Sequence, residues 1–140
     1  MQCTRIEMYS DDGTLEKATF TKKWIELLQQ ASETFGKPMA SMDEWPEKMT
    51  KAGFEEVDLR IAKLPMSPWP KDPKLKEIGS YMRYEQPQAA MSYTNALLSR
   101  ILGWGKQEID VLLAHVLSEH KDMSIHQYSK LYLMHGKKPG

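Results

Sequence analysis

The chain has 140 residues, a length that fits one domain with a buried core. Its 19 basic and 19 acidic residues cancel, so nothing in the composition indicates binding to DNA or another polyanion. The single cysteine, Cys3, excludes an internal disulfide framework, and no apolar run reaches the length of a signal peptide or a membrane span. We therefore expect one domain over residues 1–140, located in the cytoplasm, without a nucleic-acid or membrane partner.

The first elements along the chain are a short strand and a helix. Residues 3–8, CTRIEM, alternate apolar and polar side chains and are followed by the turn signal Asp12-Gly13, which predicts a strand. Apolar residues then recur from 20 to 35 at spacings of three and four. This spacing predicts an amphipathic helix that ends at Gly36.

A second helix and a second strand follow. Ser41 and Glu44 have the spacing of a capping box, and Pro46 is compatible with a first helical turn, so a short helix is predicted up to Gly53. Residues 54–64, FEEVDLRIAKL, alternate apolar and charged side chains. This alternation predicts a strand with one face in solvent.

The middle of the chain, residues 63–79, is rich in proline around Trp69. Each proline fixes φ and removes a backbone donor, so we predict a rigid arm that is neither a helix nor a central strand. Trp69 is expected to wedge against the sheet, and stacking on a substrate is the alternative. The prolines are Pro65, Pro68, Pro70 and Pro73.

Two longer helices and a last strand complete the prediction. Apolar stripes predict helices over 89–102, after a stretch that Pro87 interrupts, and over 106–121, with the sequence GWG as the break between them. The sequence KLYLMH at 130–135 predicts the last strand. Helix pairs between successive strands favour a layered α/β arrangement.

The histidines of the last helix are candidate catalytic groups. His115 and Glu119 are four residues apart, which predicts an ordinary solvated pair or, as the alternative, a general base oriented by a carboxylate. His120 falls on the apolar stripe, which favours a hydrogen-bonded core histidine or a terminal residue stabilised by the helix dipole, with a catalytic base as the alternative. No pair of histidines has zinc-site spacing with a third ligand, so no metal is predicted.

Four stretches carry a resemblance to a known family, and together they run through most of the chain. They are YSDDGTL at 9–15, AGFEEVDLRIAKLPMSPWPKDPKLKEIG at 52–79, LLSRILGWGKQEIDVLLAHV at 97–116, and IHQY with HGKKP in the tail. The chain resembles the C-terminal half of fungal class I S-adenosylmethionine-dependent methyltransferases of secondary metabolism, the group that includes LaeA-like regulators.

The resemblance implies a truncated Rossmann-like methyltransferase fold of the α/β class. Its sheet would be small, three-stranded and mostly antiparallel, with four to five helices. In such relatives the proline arm leads to an inserted helical cover over the substrate side. The resemblance also implies structural roles for His126 and Tyr128.

One signature of that family is missing. Its members hold the cofactor with a glycine-rich loop and an acidic residue in their N-terminal half, whereas the closest glycine pair here, Gly103 and Gly105, flanks a tryptophan. We therefore predict no cofactor and no useful affinity for S-adenosylmethionine. The chain is then either a fragment or remnant, or a small protein that kept the substrate-facing half.

Intact apolar stripes and the added histidines favour the second interpretation. The leading hypothesis is a cofactor-independent enzyme of natural-product biosynthesis that catalyses cyclisation or isomerisation of an apolar intermediate. The alternatives are a methyltransferase subunit that needs a partner and a non-catalytic binding or regulatory module. The predicted catalytic residues are His115, His120 and Glu85, and the predicted substrate-binding residues are Trp69, Tyr81, Arg83, Tyr84, Tyr93 and Asn95.

A homodimer is also predicted. In the resembled fold, further strands lie beside the strand of residues 3–8, which has no proline and carries only Arg5 and Glu7 as charges. An open strand edge is a template for pairing with another chain, and a twofold contact is the commonest way to cover it.

Overall fold

The computed structural model describes residues 1–39 and 42–140. Within these ranges the chain forms four α-helices and a three-stranded antiparallel sheet, which confirms the predicted α/β class and the order of the elements. In chain order they are β1 (Gln2–Thr4), α1 (Thr19–Thr34), α2 (Trp45–Lys51), β2 (Glu55–Pro65), α3 (Pro73–Thr94), α4 (Lys106–Lys121) and β3 (Tyr128–Lys137), with a 3₁₀ turn at Thr14–Lys17 and a π-helical turn at Asn95–Ser99.

The last strand lies in the middle of the sheet, whose order is β1-β3-β2. β1 is shorter than the strand predicted over residues 3–8, because the ladder with β3 stops at Thr4. Beyond it, the Ser129 hydroxyl donates to the Arg5 carbonyl oxygen at 3.0 Å, so a side chain takes the place of a ladder partner there. Pairing resumes at one isolated bridge between Tyr9 and Tyr128.

β2 confirms the strand predicted over 54–64 and lies at the other edge of the sheet. Its register with β3 places Ile61 opposite Tyr132 and shifts between Glu55 and Asp58 at a bulge. Glu56, in this bulge, has a φ of 49°. Ile61 was predicted to belong to the covered face, but its side chain is 52% exposed because it lies at the outer edge.

The predicted proline arm is too long, because its last seven residues are helical. α3 begins at Pro73, and the Asp72 carboxylate caps it by accepting the Leu75 N–H at 2.9 Å. Proline is compatible with the first helical turn, where its missing N–H has no helical partner. Gly79 lets α3 approach the arm, since an added Cβ would lie 2.3 Å from the Ser67 carbonyl oxygen.

Pro87 does not interrupt the chain as predicted: α3 runs through it to Thr94, so the helix predicted over 89–102 begins sixteen residues earlier. A proline inside a helix costs about 3 kcal/mol. The buried neighbours Gln86 and Ala90 anchor α3 on both sides of Pro87 and offset that cost. The π-helical turn then carries the chain to the predicted break before α4.

The helices predicted over 20–35 and 106–121 are confirmed as α1 and α4, and their apolar stripes meet. Burial of these stripes, at about 25 cal/mol per Å² of apolar surface, is the main force that holds the helical layer. The core consists of Trp24, Leu28, Ala90, Leu98, Ile109, Leu112, Leu113 and Val116.

The predicted capping box of α2 cannot be compared in full, since Ser41 lies outside the described residues. α2 nevertheless ends before Gly53 as predicted.

Candidate functional site

An apolar groove runs between the start of α1 and the outer face of α4. Its volume is about 420 Å³, which lies in the range of small-molecule sites. His115 stands in its wall and stacks on Phe20, with ring centroids 4.1 Å apart and an interplanar angle of 10°. The groove is lined by Phe20, Lys23, Trp104, Gln107, Glu108, Val111, Leu112 and His115.

Glu119 links α4 to the start of α1 beside the α1–α4 groove. The Glu119 carboxylate accepts the backbone N–H groups of Phe20 at 3.0 Å and Thr21 at 2.7 Å, and so caps the N-terminus of α1. A carboxylate at this position satisfies unpaired donors and complements the helix dipole. Glu119 therefore fixes the Phe20 backbone beside His115 and takes up neither of the two arrangements predicted for the His115–Glu119 pair.

His120 lies inside the helical layer, as its place on the apolar stripe predicted, with 2% of its surface exposed. Its ring meets the Trp24 indole edge-on, with centroids 6.0 Å apart. Neither ring nitrogen has a hydrogen-bond partner among the described residues, so the predicted hydrogen bond is missing. Burial lowers the pKa of His120 to about 4, so its imidazole is neutral at pH 7.

The predicted site residues of α3 do not meet His115. Tyr81 and Tyr84 are 67% and 80% exposed, and Arg83 and Glu85 are also exposed. None of these four side chains lines the α1–α4 groove. Their functional roles stay predictions.

Tyr93 and Asn95 lie beside two other depressions. Tyr93 lines a cavity of about 120 Å³ under α3, together with Trp24 and Met66. Asn95 lines an open groove of about 570 Å³ at the π-helical turn. The structure thus distributes the predicted substrate-binding residues over separate surfaces and brings only His115 to the α1–α4 groove.

Trp69 lies against the loop before β3, in the structural position predicted for it. Its indole N–H donates to the Gln127 carbonyl oxygen at 3.1 Å. Its ring stacks on His126, with centroids 4.9 Å apart and an interplanar angle of 27°. The proline arm therefore holds Trp69 at the end of the sheet.

A carboxylate–histidine pair beside Trp69 was not predicted from the sequence. Nδ1 of His126 lies 2.6 Å from Oδ2 of Asp12. Thr14 fixes the carboxylate by donating its N–H at 3.1 Å and its hydroxyl at 2.7 Å, and these bonds lower the pKa of Asp12 to about 2. Such a pair orients an imidazole, but none of the cavities described above is lined by Asp12, His126 or Trp69.

Metal and membrane features are also limited within residues 1–39 and 42–140. No group of three histidine, cysteine or carboxylate side chains there could hold a metal ion. Cys3 directs its thiol to the Met42 sulfur at 2.9 Å. No helix in these ranges is both long and apolar enough to cross a membrane.

Comparison with known proteins gives three informative relatives, all fungal. Methyltransferase pytC of Aspergillus terreus is 35% identical over 135 residues, and the probable methyltransferase tdiE of Emericella nidulans is 32% identical over 130 residues. The secondary metabolism regulator laeA of Aspergillus fumisynnematus is 30% identical over 135 residues. These matches cover 94%, 93% and 96% of this chain but 41%, 41% and 36% of the respective relatives.

The chain is therefore a relative of fungal methyltransferases and regulators of secondary metabolism. It corresponds to a C-terminal portion of LaeA-like methyltransferases and spans less than half the length of the relatives above. No family model matches the chain. No solved structure matches it either.

Proposed function

We propose that this methyltransferase-derived chain is a cofactor-independent enzyme that cyclises or isomerises an apolar intermediate of fungal secondary metabolism. The observation that carries the proposal is the α1–α4 groove, where apolar walls surround one titratable ring, His115. Phe20, Trp104 and Val111 would hold the hydrocarbon skeleton of the substrate. The substrate would stack beside an imidazole that is already packed and oriented.

The chemistry asked of the groove is a proton transfer at a fixed substrate conformation. His115 would accept a proton from a C–H or O–H bond of the substrate, and the electron pair left behind would form the new double bond or ring bond. The resulting imidazolium would return the proton to another atom of the same substrate. This reaction needs only a groove that fixes the substrate conformation and one general base, and the product has the same elemental composition as the substrate.

A methyltransferase role is the second candidate, because pytC carries the name methyltransferase and tdiE that of a probable one. The chain has no glycine-rich loop, so a separate polypeptide segment would supply the cofactor site. The outer edge of β1, which pairs on one side with β3 in the described structure, is where such a segment would join the sheet. Similarity to laeA regulators gives a third class, a binding module without catalysis.

The proposal includes a homodimer. The α1–α4 groove is shallow, and Val111 in its wall is 60% exposed. A single chain would therefore leave part of a bound apolar molecule exposed to water. A second copy is the simplest additional cover, because a symmetric contact needs no other gene product.

The test uses a metabolite extract from a strain of the source organism that lacks the gene. The purified chain is incubated with the extract, with and without S-adenosylmethionine, and the products are analysed by mass spectrometry. A product with the mass of its precursor, formed without S-adenosylmethionine, supports the proposal. A product heavier by one CH₂ and dependent on S-adenosylmethionine overturns it in favour of methyl transfer.

Two variants assign the reaction to the groove. His115→Ala should slow the reaction about 100-fold or more, because general base catalysis contributes at least that much. His135→Ala, a change of another exposed histidine outside the groove, should leave the rate unchanged. Equal rates of the two variants would show that His115 does not act as the base. If the wild-type chain binds anilinonaphthalene sulfonate but converts no metabolite, the chain is a binding module and not an enzyme.

A further inference from the structure

The outer edge of β2 is a long strand edge of the sheet. β2 has eleven residues and neighbours β3 on one side, so its other side presents backbone donors and acceptors to solvent in the described structure. Ile61, near its middle, is 52% exposed. Open edges of this length pair readily with another strand.

The hydrogen bonds of the sheet show which peptide groups point outward. Met66 follows β2 directly, and its N–H donates to the carbonyl oxygen of Gln127, which directly precedes β3, so its peptide groups point toward β3. In an antiparallel ladder this direction alternates with every residue. Residues 58, 60, 62 and 64 therefore point inward, whereas Leu59, Ile61 and Lys63 offer their N–H and C=O groups to a new neighbour.

The sequence around Leu59 is self-complementary in charge. In VDLRI, residues 57–61, an acid precedes Leu59 by one position and a base follows it by one, with Val57 and Ile61 outside them. We propose that β2 pairs with β2 of a second copy, antiparallel and with the twofold axis at Leu59. Asp58 of each copy then faces Arg60 of the other, and Val57 faces Ile61.

This register also satisfies the hydrogen bonds. Leu59 opposite Leu59 is a hydrogen-bonded pair, because both residues point their peptide groups outward. Asp58 and Arg60 then form the non-hydrogen-bonded pairs, in which opposing side chains come closest. Arg60 is exposed and has no ion pair among the described residues, and Asp58 has the His135 ring at 4.0 Å.

Competing twofold registers are less favourable. An axis at Arg60 keeps the hydrogen bonds, because Leu59 then faces Ile61, but it sets Arg60 opposite Arg60 and Asp58 opposite Ala62, which replaces both charge pairs by a like-charge contact. An axis at Ile61 keeps the hydrogen bonds but sets Arg60 opposite Ala62 and Leu59 opposite Lys63, which loses both charge pairs. Hydrogen bonding permits all three axes, and the side-chain charges select the one at Leu59.

The bulge at Glu56 limits the contact to residues 57–61. Pairing ends where Glu56 adopts a φ of 49°, since the strand departs from extended geometry there. A five-residue pairing covers less surface than stable dimers bury, so we expect the dimer to dissociate on dilution. This contact lies on β2 and shares no residue with the α1–α4 groove, so the inference does not rest on the dimer proposed to cover that groove.

The experiment reverses the charges of the pair and measures the mass by light scattering and sedimentation. Asp58→Arg and Arg60→Asp alone each place like charges opposite one another twice, and each should weaken the dimer about tenfold or more. The double variant Asp58→Arg/Arg60→Asp restores opposite charges and should restore the dimer. Lys76→Asp on the exposed side of α3 is the matched control and should leave the mass unchanged.

Leu59→Cys in a Cys3→Ser background tests the register without altering charge. Oxidation should link two copies through position 59, because opposed Cα atoms of a hydrogen-bonded pair lie about 5.5 Å apart, within disulfide range. Ile61→Cys should not link, since two copies of Ile61 would be four residues out of register. A wild-type monomer, or a dimer that ignores the charge reversals, overturns the proposal, and neither result depends on the enzymatic activity.

Discussion

The helical layer around α4 is held by apolar packing, whereas the end of the sheet near Trp69 is held by ionic and aromatic contacts. In the helical layer His120 is buried and has no hydrogen-bond partner among the described residues. At the end of the sheet His126 is paired with Asp12 and stacked on Trp69. The two regions contain the same side chain in opposite environments, so acid should act on them in different pH ranges.

The largest effect should come from a cavity in the helical layer. Leu98 is fully buried among α1, α3 and α4, so Leu98→Ala should lower the free energy of unfolding by about 2–5 kcal/mol. Met91→Ala, where 51% of the side chain is exposed, is the control and should change it by about 0.5 kcal/mol at most. Urea denaturation measures both, and equal losses would show that Leu98 does not belong to a packed core.

The second effect is a pH dependence that originates at His120. Burial lowers its pKa in the folded state from 6.5 to about 4, so the unfolded chain binds the proton more tightly. Stability should therefore be constant above pH 6.5 and fall as the pH drops toward 4, by about 3 kcal/mol for a shift of this size.

His120→Leu isolates this contribution, because leucine fits an apolar site and does not titrate. The variant should lose the pH dependence between 6.5 and 4, while His115→Ala, a change of an exposed histidine, should retain it. An unchanged pH profile in His120→Leu would mean that another group senses the acid.

The helical layer was also the region that the sequence predicted best. Periodic apolar residues identified α1 and α4, because burial of a stripe is decided by residues three and four apart. The start of α3 was missed, since proline excludes a helix interior but not the first turn, and Pro73 lies at that turn. The interruption predicted at Pro87 is wrong for a related reason, because local helix propensity does not include the tertiary burial of Gln86 and Ala90.

The candidate site was less predictable, because its contacts join distant parts of the chain. The spacing on α4 makes His115 a candidate base, but Phe20, its stacking partner, lies on another helix. Asp12 and His126 are 114 positions apart, and Asp12 had a sufficient local explanation as a turn residue. Spacing arguments find neighbours within one helix or strand, so neither pairing left a signal in the sequence.

A smaller effect concerns the link between α4 and the start of α1. Glu119→Ala removes the carboxylate that caps the N–H groups of Phe20 and Thr21 and should cost about 1 kcal/mol. Glu119→Gln should cost less, because its amide oxygen still accepts one of these bonds. Glu26→Ala, at an exposed position of α1, is the control. A similar loss of stability in this variant would show that the effect of Glu119→Ala comes from the removed charge and not from the lost cap.

The smallest effect should come from the exposed pair at the end of the sheet. Hydrogen bonds from Thr14 and contact with His126 lower the pKa of Asp12 from 3.8 to about 2. Because the carboxylate form is favoured in the folded state, its contribution is complete above pH 3.8 and is lost as the pH falls through about 2. Solvent screens an exposed group, so we expect only a small decrease in Tm for Asp12→Asn near neutral pH.

The difference in Tm between wild type and Asp12→Asn should persist down to about pH 4 and shrink toward pH 2, below the range in which His120 acts. Asp110→Asn removes the same charge from an exposed helix ion pair with Lys106 and controls for net charge. If the Asp12→Asn difference instead disappears between pH 6.5 and 4, the two regions do not respond to acid separately. In that case the contrast between the buried and the paired histidine does not describe how this chain loses stability.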